Sequence, residues 1–159
     1  MNTFKNLFLA IAASSFVLSS CHKDCDDNDD NDNKHVIDKK NLPVTGLQEV
    51  PPKTTKAYGS LDVSYNKKTK VLTYKVLWVD LTGIPVGSHI HGEAGKGVNA
   101  SVKHDFTAQI PKATSGTYTG SVIVDEVAIK QAGLLSGLYY VNIHTATFPG
   151  GEIRGQIEF

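Results

Sequence analysis

Residues 57–80 read Ala57-Tyr58-Gly59-Ser60-Leu61-Asp62-Val63-Ser64-Tyr65-Asn66-Lys67-Lys68-Thr69-Lys70-Val71-Leu72-Thr73-Tyr74-Lys75-Val76-Leu77-Trp78-Val79-Asp80, two alternating runs around a polar turn. Side chains on a strand point to opposite faces in turn, so period-two alternation marks strands with one face buried. Two such runs joined by Asn66-Lys67-Lys68-Thr69 make a β-hairpin. Leu72, Tyr74, Val76 and Trp78 share one face of the second run, which is therefore expected at the centre of the core.

The same pattern recurs outward from this hairpin. Strands are predicted over Leu42 to Glu49, Gly87 to His91, Val102 to Ile110, Gly116 to Val124, Leu138 to Thr145 and Glu152 to Glu158. About seven to eight short strands punctuated by Gly and Pro imply an all-β, antiparallel Greek-key sandwich or flattened barrel. One stretch departs from it. Glu126 to Leu135 lacks alternation, and Asp125 as N-cap with Gly133 near the end predicts a single short helix there.

The amino-terminal segment has another character. Lys5 precedes the apolar run Leu7 to Val17, which is shorter than the roughly 20 residues a helix needs to span the bilayer core. Residues 1–20 are thus expected to be a signal peptide. Leu18-Ser19-Ser20-Cys21 resembles the lipobox of bacterial lipoproteins, which implies lipid attachment at Cys21 and a chain held in the cell envelope, at the outer membrane and exposed at the surface. From Cys21 to His35 follows an acidic stretch rich in Asp and Asn, without a large apolar residue, expected to be a disordered tether. Its Lys23-Asp24 start also resembles the short Lys-acid export signals of bacterial surface lipoproteins. It lacks the spaced Gly and terminal Glu of a calcium loop.

The 159 residues carry equal numbers of basic and acidic side chains. A nucleic-acid partner is excluded on that balance, because a nucleic-acid binder needs a basic face. Cys21 and Cys25 are the only cysteines, so residues 36–159, the expected folded domain, can form no internal disulfide. Its stability has to come from its core.

Chemistry concentrates in a few residues. His89 and His91 are two apart on a predicted strand and so share a face, and His144 lies on a late strand beside Tyr140 and Asn142. If the two strands are neighbours, three imidazoles offer a site for copper or zinc with an open position. Glu93, Glu152 or His104 are candidates for a fourth or supporting group. The alternative role for these histidines is to hydrogen-bond backbone carbonyls and fix loops. Glu152 and Arg154 follow the turn Pro149-Gly150-Gly151. Arg154, the chain's only arginine, suits either loop fixing or a ligand anion. No nucleophile elbow, carboxylate pair or phosphate loop is present, so a non-enzymatic binding protein of the cell envelope is expected in preference to an enzyme. A copper or zinc protein for storage, delivery or dismutase-like redox chemistry, or a purely structural envelope module, are the alternatives.

Three separated motifs carry a family resemblance. Leu47-Gln48-Glu49-Val50-Pro51-Pro52, then Ser88-His89-Ile90-His91-Gly92 with Gly95 to Asn99, then Leu138 to Thr145 leading into Pro149-Gly150-Gly151-Glu152-Ile153-Arg154-Gly155-Gln156 resemble, in order, the landmarks of the CHRD domain family found in chordin and in bacterial secreted proteins. The resemblance implies an extracellular or periplasmic binding module with a protein partner, and no defined activity. The His-x-His pair plus a late His also resembles the copper-ligand layout of copper-zinc superoxide dismutases, likewise Greek-key barrels, although the zinc loop, the disulfide and an evident bridging histidine are missing.

Overall fold

The hairpin of residues 57–80 forms as its alternation dictates: β2 (Tyr58–Asn66) pairs antiparallel with β3 (Val71–Val79), Leu61 opposite Val76 and Val63 opposite Tyr74. Asn66 closes the turn by accepting the backbone N–H groups of Lys68 and Thr69 on its Oδ1. Leu72, Tyr74, Val76 and Trp78 are buried while Thr73, Lys75 and Leu77 between them face solvent. Trp78 donates its indole N–H to the Ala113 carbonyl at 2.9 Å. Its ring lies so close to Gly116 that an added Cβ would meet it at 2.7 Å, which explains a glycine there.

Six more strands complete one sheet: β1 (Val36–Thr45), β4 (Gly87–Gly92), β5 (Val102–Asp105), β6 (Gly116–Ile123), β7 (Tyr139–His144) and β8 (Ile153–Ile157). Their order is β5-β4-β7-β8-β1-β2-β3-β6, all antiparallel. The connections β3 to β4 and β6 to β7 cross between the two halves, as in a Greek key. Side chains bridge β5 to the β3 and β6 side. His104 on β5 shares a 3.0 Å hydrogen bond with the Tyr74 hydroxyl, and Phe106 stacks on Tyr118 at 5.6 Å. The sheet is therefore a nearly closed, flattened barrel, with Ile90, Val141, Ile143, Ile153 and Ile157 lining its interior from the half opposite β2 and β3.

The computed structural model describes residues 32–159. The expected signal peptide, Cys21, Cys25 and the tether up to residue 31 lie outside them. Residues 32–35 form a 3-10 turn whose His35 carbonyl accepts the N–H of Lys67, so contacts of the folded unit begin just ahead of residue 36. No helix among the described residues is long and apolar enough to cross a membrane.

Three element boundaries differ from the sequence reading, each for a local reason. β1 begins at Val36 and stops at Thr45, not Glu49. Its first half has no alternation because it is exposed, and a bulge between Lys39 and Leu42 puts Asn41 at φ 57°, with its N–H on the Asp62 carboxylate. β5 ends at Asp105, because the Asp105 carboxylate accepts the Thr107 N–H and Phe106 turns into the core. The helix is only Gln131–Leu135. Asp125 instead accepts the N–H groups of Val127, Ala128 and Ile129 in a separate turn, since a short carboxylate can satisfy a turn as readily as a helix start.

Tyr74→Phe is expected to lower stability by about 1 kcal/mol, because it leaves the His104 nitrogen unpaired across the seam of the barrel. A chemical denaturation midpoint checks this, and an unchanged midpoint would mean that the seam is held by ring packing alone.

Candidate metal centre

β4 and β7 are neighbours, and their register sets the site. Gly87 lies opposite His144, His89 opposite Asn142, and His91 opposite Tyr140. β8 continues the row with Arg154 opposite Asn142 and Gln156 opposite Tyr140. The intervening residues Ile90, Val141, Ile143 and Ile153 point into the barrel, so this polar row is its outer face. It is nonetheless largely buried, because three loops fold over it. His91 Nδ1 lies 2.8 Å from the Ala100 carbonyl, His144 Nδ1 2.9 Å from the Pro149 carbonyl, and Gln156 donates to the carbonyls of Ala94 and Gly137.

His89, His91 and His144 converge. One ring nitrogen from each lies within 4.8 Å of the others, and His89 Nδ1 is 3.1 Å from His144 Nε2. A carbonyl can only accept, so Ala100 and Pro149 fix the Nδ1–H tautomers of His91 and His144 and leave each Nε2 with its lone pair, that of His144 facing His89 Nδ1 and Asn142 Oδ1. His91 Nε2 is buried without a hydrogen-bond partner. His89 completes the set from the other direction, its Nε2 3.8 Å from the Asp105 carboxylate and its Nδ1 turned to His144. Acceptors on the far side of each ring are what orient imidazoles as metal ligands.

Electrostatics favour the same state. Burial holds all three histidines below the usual imidazole range, with the neighbouring histidine further lowering His89 and His144. Neutral rings therefore face one another at neutral pH. Behind His91 the Tyr140 ring stacks at 4.9 Å and 2° from parallel, and the Arg154 guanidinium lies 3.3 Å from the centre of that same ring.

The other candidates from sequence are not part of this cluster. His104 pairs with Ile90 and so faces inward to Tyr74. Asp105, one residue on, takes the outward position beside His89. Glu93 lies past the end of the strand, accepting the Tyr139 hydroxyl and pairing with Lys130 at 3.3 Å. Glu152 is buried and saturated: it accepts the hydroxyls of Thr55, Thr82 and Thr145 and the N–H of Thr82. Arg154 donates to Gly95 and Gln156 as well as covering Tyr140.

One further residue comes from a loop that strand periodicity does not reach. Glu49 folds over the row, 3% exposed, with the Asn142 side chain facing its carboxyl. Burial raises its pKa to about 7 against the opposing pull of Arg154 and Lys53. Glu49 and Arg154 also line a pocket of about 370 Å³ with Leu47, Val50, Pro52 and Gln156. The histidines do not line this pocket.

No curated protein and no solved structure matches the chain. The family model for the CHRD domain matches residues 41–157, from the bulge of β1 to the end of β8 and including every residue of the histidine cluster. The chain belongs to the CHRD domain family.

Proposed function

We propose that this chain is a cell-envelope lipoprotein whose CHRD domain binds one copper or zinc ion through His89, His91 and His144. The observation that carries the reading is the convergence of three imidazole nitrogens within 4.8 Å while the remaining nitrogens of His91 and His144 are tied to carbonyls. Three neutral nitrogens at that spacing suit a first-row divalent ion, and copper(II) outranks zinc at a given nitrogen site. Storage or delivery of the ion is the use that needs nothing further. A dismutase-like redox reaction is the alternative use of an open three-histidine site.

Copper affinity is expected to fall steeply in mild acid. Each ligand must be neutral to bind, and the downward shifts of all three histidines keep them neutral until the pH drops below the ordinary value of about 6.5. Stability of the metal-free domain follows the same direction. The unfolded chain binds protons on these rings first, so stability is lost as pH falls from about 6.5 through the lower folded values. Copper titrations of the full chain at pH 7.5 and 5.5 check the first point; equal affinity at both would speak against histidine ligation.

Attachment at Cys21 completes the proposal. Two or more acyl chains, at about 0.8 kcal/mol per buried methylene, would hold the domain at a membrane surface. Cys21→Ala is expected to abolish acylation and shift the protein from the membrane to the soluble fraction or to an uncleaved precursor. A cleaved Cys21→Ala protein that stays in the membrane without acyl mass would refute the anchor.

A second reading, binding of an extracellular or periplasmic protein, rests on the pocket beside Glu49, whose rim residue Leu47 is 79% exposed. A photo-crosslinker at position 47 tests it in cells, and absence of any adduct would remove it.

A further inference from the structure

We propose that Asn142 supplies the fourth ligand of this metal centre through its side-chain oxygen, and that Glu49 is the positioning residue that turns the amide. The inference rests on the three-histidine reading and adds to it a ligand that neither the motif spacing nor the family match assigns.

Ligand spacing points to the oxygen. Two donors on one ion at about 2.0 to 2.1 Å stand about 2.9 Å apart when they subtend a right angle and about 3.3 Å apart at a tetrahedral angle. Asn142 Oδ1 lies 3.0 Å from His144 Nε2, and His89 Nδ1 lies 3.1 Å from the same atom. Both separations fall within that range. Asn142 sits directly opposite His89 in the strand pair, on the same face and beneath the rings.

Hydrogen-bond chemistry leads to the same assignment. His144 Nδ1 is committed to the Pro149 carbonyl, so its Nε2 presents a lone pair. An amide oxygen facing it at 3.0 Å makes two acceptors with no proton between them. With His91 Nε2 also unpartnered, lone pairs gather at the centre, which a cation reconciles. The His89 Nδ1–H tautomer is the donor that can face His144 Nε2 at 3.1 Å, and ligation requires that proton on Nε2 instead, beside Asp105.

Glu49 explains why the amide does not simply rotate. Its Oε1 is buried without a partner, and Asn142 presents its side chain to that carboxyl. Ionised, the Glu49 carboxylate can only accept, so in that form it selects the Asn142 nitrogen and sends the oxygen to the histidines. Gly151 leaves room for the carboxyl: a Cβ there would fall 2.4 Å from Oε1. An amide oxygen as a weak ligand next to imidazoles is established chemistry for copper.

The test is electron paramagnetic resonance of the full chain loaded with one equivalent of copper(II), with affinity measured in parallel against a competing chelator. Wild type should show imidazole nitrogen couplings. Asn142→Ala should retain those couplings, change the parallel g value and copper hyperfine splitting, and bind about 10- to 100-fold more weakly. Glu49→Gln should move the spectrum in the same direction with about tenfold weaker binding. Asn142→Asp keeps an oxygen and adds charge, so it should bind more tightly with a spectrum distinct from both. It also serves as the decisive variant if the alanine protein does not fold. Imidazole couplings in wild type with spectra unchanged in Asn142→Ala, or in Asn142→Asp where the alanine protein does not fold, would overturn the fourth ligand and leave the histidine centre standing. Absence of imidazole couplings in wild type would overturn both.

Discussion

His91→Ala is expected to lower copper affinity at least about 100-fold, a larger loss than removing an outer supporting partner brings. His91 contributes a buried Nε2 that has no other partner, and its ring is held by the Ala100 carbonyl on one side and by Tyr140 on its face. Alanine removes the imidazole but leaves the Tyr140 ring held by Arg154, so the barrel should remain folded. His104→Gln is the matched control. That histidine is on the inner face, away from the cluster, and its substitution should leave copper affinity within about twofold, a factor of two being only about 0.4 kcal/mol. Isothermal titration of the two variants separates the outcomes, and similar losses in both would mean that copper binds elsewhere or nonspecifically.

The second large effect concerns stability. Glu152→Ala is expected to cost about 3 to 5 kcal/mol, because it leaves several buried donors unpaired at about 1 to 3 kcal/mol each. The carboxylate has 0% exposure and joins three parts of the chain: Thr55 at 2.7 Å, Thr82 through its hydroxyl at 2.8 Å, and Thr145 at 2.7 Å. Alanine would leave these buried donors without acceptors. Glu152→Gln keeps one oxygen and should cost less, about 1 to 3 kcal/mol. The contrast between the two denaturation curves tests whether Glu152 fixes loops; a near-neutral Glu152→Ala would show that the hydroxyls find other partners.

Much of this was legible in local patterns. Alternation in residues 57–80 is enough to specify the β2–β3 hairpin and its buried stripe, because register on a half-buried strand is set by which face is apolar. The same period places His89 and His91 on one face. It does not say which strand lies beside them. His144 joins the pair through β4–β7 pairing across 55 residues, a contact that no local window contains.

His104 illustrates the opposite limit. A histidine on a neighbouring strand looks like a ligand, yet the irregular register between Ile90 and His91 aligns His104 with Ile90 and turns it inward. Asp105 gains the outward position by that one-residue offset. Glu49 falls in the first family motif and at the end of a predicted strand, but its position at the site is not legible there: it sits beyond the end of β1, on a loop that returns over the sheet, where neither period applies. Its signal is a buried carboxyl whose Oε1 has no hydrogen-bond partner among the described residues, which only the folded chain displays.

Elemental analysis of the full chain, after loading with copper and removal of unbound metal by gel filtration, tests whether His89, His91 and His144 together hold a metal ion. One copper per wild-type chain is expected, and none in the variant with all three histidines changed to alanine, provided both elute as folded monodisperse protein. Copper absent from wild type, or retained equally by the triple variant, would contradict it.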